Sequence, residues 1–165
     1  MVFPAVNSQI LTIGVFIGIV VSMIFYEREL LSPGGVVVPG YTALFLITNP
    51  IIVVYTLLIA LLTALIISRA SRFTILFGRR RFAVTMLLAL TLSLVANALF
   101  GLLAGPFPYL FTGPYSYQGF QVIGIIIPGL IANELHRQGI VPTLATLGTV
   151  SVITAIILYI IVMLV

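Results

Sequence analysis

Gly35-Val36-Val37-Val38-Pro39-Gly40-Tyr41-Thr42-Ala43-Leu44 decides the fold, because the chain writes it twice. The second copy, 89 positions on, is Gly124-Ile125-Ile126-Ile127-Pro128-Gly129-Leu130-Ile131-Ala132-Asn133. At the same offset Ala43 meets Ala132 and Ile51 meets Ile140. In both copies a β-branched triplet favours extended backbone, and the residue before proline is pushed away from helix. A helix can start just after each Pro-Gly. A long apolar run precedes and follows each copy, so the chain reads as two halves, 1–78 and 79–165, of one domain, 1–165. Internal repeats of this kind are common in transport folds.

The first long run, Ile10 to Tyr26, carries Gly14 and Gly18, four apart, which lets another helix approach closely. Glu27-Arg28-Glu29 ends it, and Ser32-Pro33-Gly34-Gly35 breaks the chain. Asn49 can cap and Pro50 can open the second run, Ile51 to Ile67. Ser68 to Phe82 is a polar connection. Ala83 to Ala104 is the third run, with Asn97 as an inter-helix hydrogen-bond donor. Gly105 to Gln121 reads as a loop whose Tyr109, Tyr115 and Tyr117 suit a membrane interface. After the polar break Glu134 to Gly139, the last run is Val141 to Val165, with Pro142 in its first turn. The expected fold is an all-α integral membrane protein: four long transmembrane helices plus two short Pro-Gly-broken membrane segments, arranged as an inverted two-fold repeat.

Composition sets the solvent. Of 165 residues 62% are hydrophobic and 6% charged, against roughly 25% charged in a soluble domain. The mean hydropathy is +1.34, and too little polar surface remains to cover a water-soluble globule. A span needs about 20 apolar residues, so four spans nearly use up the chain. The first 26 residues lack a basic region and a cleavage site, so the first run is expected to be retained. There is no cysteine, no aspartate and one histidine, and the acids are Glu27, Glu29 and Glu134. No nucleophile–base pair, phosphate-cradling loop or metal-ligand spacing is present, so no catalytic residue, metal or cofactor is assigned.

The positive charge is all arginine, and five of the seven arginines fall between Arg69 and Arg81. That clustering marks topology rather than nucleic-acid binding, and it puts the 69–81 connection in the cytoplasm. Four extended residues at about 3.3 Å and nine helical ones at about 1.5 Å span roughly 27 Å, near the ~30 Å hydrocarbon core. If both Pro-Gly segments cross, there are six crossings and every arginine is cytoplasmic. If both are re-entrant, there are four, with Arg28 and Arg137 outside; the charge bias favours six. Non-helical backbone at membrane depth must be buried in protein or line a wet cavity. Placing the breaks side by side would aim the amide-rich helix starts at Pro39-Gly40 and Pro128-Gly129 into one hydrophilic space that attracts carboxylates.

The candidate contact residues are therefore Arg69, Arg72, Arg79, Arg80 and Arg81, then Glu27, Arg28, Asn133 and Arg137, and the breaks Pro39, Gly40, Pro128 and Gly129. Each has a plainer role as topology signal, interfacial anchor or packing kink. Glu134 and Arg137, three apart, can pair on one helix face. His136 reads as an interfacial polar residue.

These same blocks resemble the small membrane subunit of bacterial poly-γ-glutamate synthases, the CapC/PgsC family. They are Tyr26-Glu27-Arg28, then the first Pro-Gly block, then Thr74-Ile75-Leu76-Phe77-Gly78-Arg79-Arg80-Arg81-Phe82-Ala83. The second Pro-Gly block follows, running on to Arg137-Gln138-Gly139. The loop 105–121 departs from the family pattern, and nothing is carried over there. The resemblance implies a bacterial or archaeal plasma-membrane protein, itself without catalytic residues. Its partners would be a cytoplasmic ATP-dependent amide ligase and an extracytoplasmic third subunit; a homo-oligomer stays open. The product would be a polyanion with one carboxylate per residue. A bare carboxylate in lipid is prohibitively costly, so an exit route needs fixed positive potential and hydration. A stand-alone small-anion secondary transporter and a scaffold without a conduit are the competing readings.

Overall fold

The computed structural model describes residues 8–71, 78–103 and 118–164. They form six helices: α1 Ser8–Glu29, α2 Val38–Thr48, α3 Pro50–Ala70, α4 Gly78–Leu103, α5 Gln118–Gln138 and α6 Ile140–Leu164. Of the expected loop 105–121, residues 105–117 with the three tyrosines lie outside the described residues, as does the Asn97 side chain, whereas 118–121 are not loop but the first turn of α5.

Asn49 separates α2 from α3 as expected. Its side chain accepts from the Ile51 N–H, and Pro50, which has no N–H to lose, opens the helix. The first Pro-Gly break is also a helix start, with Pro39 in the opening turn of α2. Ahead of it the chain is bent rather than extended: Gly34 and Gly35 take φ of 81° and 109°, and Val37 is already in the right-handed helical region. The second break is not a helix start. Pro128 lies inside the continuous 21-residue α5. The reason stands in the sequence: Ser32-Pro33-Gly34-Gly35 aligns at the 89-residue offset with Gln121-Val122-Ile123-Gly124, which lacks the proline and the first glycine. Without a left-handed pair in front, helix propagates up to the proline, and only one backbone hydrogen bond is lost there. Arg79, Arg80 and Arg81 likewise sit in the first turn of α4 rather than in the connection, since arginine is a good helix former.

Packing divides the helices into two triangles. In one, α1, α2 and α6 pack on one another; in the other, α4, α5 and α3 do. Thus each half contributes its third helix to the other half's bundle. Contacts of α2 with α3, α5 with α6 and α2 with α5 join the bundles. Every one of these packed pairs maps onto another, or onto itself, when α1, α2, α3 are exchanged for α4, α5, α6. The core at the junction is apolar, centred on Val38, Ile131, Ala132, Leu135 and Leu147.

The two breaks seat against corresponding helices. Gly40 touches α1 so closely that a Cβ there would lie 2.9 Å from both the Gly14 carbonyl oxygen and Val15 Cα. Gly129 lies against Met86 and Ala89 of α4. A buried hydroxyl pair, Thr42 with Ser151 at 2.5 Å, ties α2 to α6.

Two helices, Pro50–Ala70 and Ile140–Ile161, are long and apolar enough to cross a membrane, and only 33% and 39% of each is buried. A soluble core helix would hide its apolar surface, whereas Val54, Leu58, Leu62 and Leu65 of α3 and Val152, Ile156 and Ile160 of α6 face outward.

Candidate functional site

Cross-contacts set the helices in register. Tyr55 donates to the Ser93 carbonyl at 3.4 Å; each residue lies about 22 Å from the end of α3 and the start of α4 respectively, at ~1.5 Å per residue. The end of α1 meets the end of α5 through Ser32, whose N–H donates to Gln138 Oε1 at 3.1 Å, while Gln138 Nε2 donates to the Ser32 carbonyl at 3.2 Å. The start of α6 meets the end of α5 where Thr143 donates to the Glu134 carbonyl at 3.3 Å. One end of the molecule therefore gathers the end of α1, the end of α3, the start of α4, the end of α5 and the start of α6. Every charged residue described lies there: Glu27, Arg28, Glu29, Arg69, Arg79, Arg80, Arg81, Glu134 and Arg137, with His136. Arg72 lies outside the described residues.

Within that end the charge is uneven. Arg69, Arg79, Arg80 and Arg81 belong to the α3–α4–α5 bundle, and Glu27, Arg28 and Glu29 to the other. Arg79 and Arg80 are exposed, as are Arg69 and Arg28. Arg81 is half-buried, and its Nε–H has no hydrogen-bond partner among the described residues. It is near enough to His136, at the polar end of α5, to act on that imidazole. Burial first, and then the Arg81 charge, holds His136 below its ordinary value, so it is neutral near pH 7.

Glu134 and Arg137 do pair, Arg137 Nε to Glu134 Oε2 at 2.9 Å. The same carboxylate accepts from Gln138 Nε2 at 2.6 Å. Ser32 and Gln138 thus extend the Glu134–Arg137 pair into a network that pins the α1–α2 connection. A single sequence holds no sign of this contact, because its partners are 106 residues apart and belong to different halves. Asn133 is half-buried one turn inward of Arg137.

The breaks do not share a hydrophilic space. Pro39, Gly40, Pro128 and Gly129 are all buried. Their neighbours are Gly14, Val15 and Gly18 on one side and Met86 and Ala89 on the other. The start of α2 at Gly40 is covered by α1, and Gly129, inside α5, lies against α4. Among the described residues no group of three or more histidines or acids could hold a metal ion. What the charged end can do chemically is hold anions at its arginine side and present a mixed polar surface at the other.

A family model described as Capsule biosynthesis CapC matches residues 17–144. The Capsule biosynthesis protein CapC of Bacillus anthracis is 38% identical over 137 residues, covering 82% of this chain and 85% of that one. The PGA biosynthesis protein CapC of Bacillus subtilis (strain 168) is 36% identical over 134 residues, covering 81% of this chain and 83% of that one. No solved structure matches the chain.

Proposed function

This chain belongs to the CapC family of capsule-biosynthesis proteins, and from that premise we propose that it is the membrane subunit of a poly-γ-glutamate synthase and export complex. It sits in the plasma membrane with its charged end in the cytoplasm, in six crossings, as an inverted repeat. The exchange of packed helix pairs between the halves supports the repeat, and the one-ended charge supports the orientation. There it holds an ATP-dependent amide ligase and receives the growing polyanion; an extracytoplasmic subunit completes the complex on the far side. The chain itself carries no reaction.

The observation that carries this reading is the gathering of Arg69, Arg79, Arg80 and Arg81 on one bundle, with three of the four side chains exposed. An array of guanidinium groups recognises successive carboxylates by charge-assisted hydrogen bonds. Changing Arg79, Arg80 and Arg81 to glutamine should lower surface polymer severalfold while the chain stays in the membrane fraction in normal amount. Export equal to wild type would remove the arginines from the route.

The burial of both breaks favours a second reading, a scaffold through whose own centre no polymer passes. Single cysteines at Pro39 and Pro128, in a chain with no cysteine of its own, separate the two. A scaffold keeps both thiols closed to a membrane-impermeant maleimide during synthesis, and a conduit opens them.

A further inference from the structure

Two buried hydroxyls stand apart from the rest. Buried threonines such as Thr63, Thr85 and Thr154 turn the hydroxyl back on the carbonyl four residues earlier. Ser22 and Ser93, only 1% and 2% exposed, do not, and neither Oγ has a hydrogen-bond partner among the described residues. The two serines occupy equivalent places. Gly40 of α2 crosses α1 at Val15 and Gly18, and Gly129 of α5 lies against α4 at Met86 and Ala89. Val15 and Gly18 lie 71 positions before Met86 and Ala89, and the same offset carries Ser22 onto Ser93. Each serine therefore sits one turn past the crossing, on the helix face that makes it.

The opposing helix supplies the other half of each site. Helices α1 and α2 run antiparallel, since Gly14 meets Leu44 while Gly18 meets Gly40. So do α4 and α5, with Arg81 near His136 and Ala89 against Gly129. Level with the serines, one turn before the crossing, lie Gly35-Val36 in one half and Gly124-Ile125 in the other. There Pro39 and Pro128, having no N–H, leave the Gly35 and Gly124 carbonyls without the donor that a helix would supply. In each half an unpartnered hydroxyl and a proline-freed carbonyl thus stand at the same level of one helix pair.

We propose that each half holds one buried water molecule, bridging Ser22 to the Gly35 carbonyl and Ser93 to the Gly124 carbonyl. Proline in a membrane helix is tolerated where serine side chains and ordered water satisfy the freed backbone again. A hydroxyl and a carbonyl supply the polar partners that a buried water needs. Water suits these places better than an ion does. The nearest charges along the two helices are the exposed Glu27 and the half-buried Arg81, about 7.5 Å and 18 Å away at ~1.5 Å per residue. An ion would lie unpaired among neutral groups, at high cost. The second Pro-Gly, which starts no helix, thereby acquires a use: its glycine lets the helices cross closely, and its proline opens a carbonyl to water. Neither site depends on the route of the polymer.

Water–protein nuclear Overhauser effects on the isotope-labelled full chain in detergent micelles, with SDS-induced unfolding alongside, test both sites. Wild type should give water cross-peaks to the α-protons of Gly35 and Gly124. Ser22→Ala should remove the first and Ser93→Ala the second. Each should raise the unfolding equilibrium constant about fivefold, as loss of one net hydrogen bond does. Pro128→Ala returns an N–H to the Gly124 carbonyl, so in that background Ser93→Ala should cost less than about twofold, because the two changes act on one bridge. Serine-to-alanine variants as stable as wild type, or more so, would show hydroxyls that were never satisfied and overturn the proposal. Cross-peaks absent from wild type, or persisting in the alanine variants, overturn it as well. A fivefold loss with no water signal would assign the hydroxyls to protein partners and overturn it equally. A Ser93→Ala cost unchanged by Pro128→Ala overturns the bridge to Gly124.

Discussion

Substituting Gly18 by alanine should be among the most damaging small changes in this protein. An added Cβ would stand 2.2 Å from Gly40 Cα and 2.4 Å from Gly40 N. Carbon atoms pack at about 3.5–4.0 Å, so α1 and α2 must part by roughly 1.3–1.8 Å. A radial gap of about 0.5–1 Å already forfeits a quarter to a half of each dispersion contact, and the contacts at risk include Leu44 and Leu158 around Gly14. Overpacking costs about 1–3 kcal/mol where side chains can move aside. Here the obstacle is backbone on both sides, so the loss should be about 3 kcal/mol or more. Two matched substitutions set the scale. A Cβ at Gly129 meets Met86 Sδ at 2.6 Å and Ala89 Cβ at 3.2 Å; the flexible methionine can swing away, and the cost should be about 1 kcal/mol or less. A Cβ at Gly148 meets nothing within 4 Å, so helix propensity alone should stabilise that variant by roughly 0.5–1 kcal/mol. The midpoint of SDS-induced unfolding in mixed micelles, followed by far-UV circular dichroism, measures all three. Gly18→Ala within about 0.5 kcal/mol of wild type, an ordinary surface-level effect, would refute the backbone crossing.

Gln138→Ala removes both hydrogen bonds to Ser32 and one to Glu134, and should cost about 1–3 kcal/mol in the same assay. It should also speed cleavage by an added protease within residues 30–37, because the α1–α2 connection loses its anchor. His136 is neutral in the folded chain and charges more readily once unfolded. Its contribution is therefore complete above about pH 6.5 and declines as pH falls below that value. His136→Gln should flatten the fall in unfolding midpoint between about pH 7 and pH 5, and an unchanged pH profile would assign the sensitivity elsewhere.

The helix inventory was largely legible. Apolar run lengths located the long helices, and Asn49-Pro50 marked the α2–α3 junction, because capping and proline geometry are local. The charged pair Glu134–Arg137 was legible for the same reason. The second break departs from the first because Pro-Gly alone does not end a helix; the residues ahead of it decide. One proline removes a single hydrogen bond, whereas Pro33-Gly34-Gly35 stops a helix outright, and only the first half has it. The covering of both breaks was hidden for another reason. It depends on Gly18 meeting Gly40 and on Ala89 and Met86 meeting Gly129, and such pairings are set by how whole helices cross. The Ser32–Gln138 bonds were hidden likewise, being a property of tertiary placement.

The exchange of third helices between bundles bears on how the chain matures at the ribosome. The helix that completes the α1–α2 triangle is the last of the six to be made, and α3 has no bundle to join until α4 and α5 follow. The nascent molecule must hold unfinished helical hairpins until the C-terminal quarter arrives. Translation halted before Ile140 would leave the Gly14 face of α1 without Leu158 and Thr42 without Ser151. Neither half therefore holds a complete triangle of helices within its own sequence.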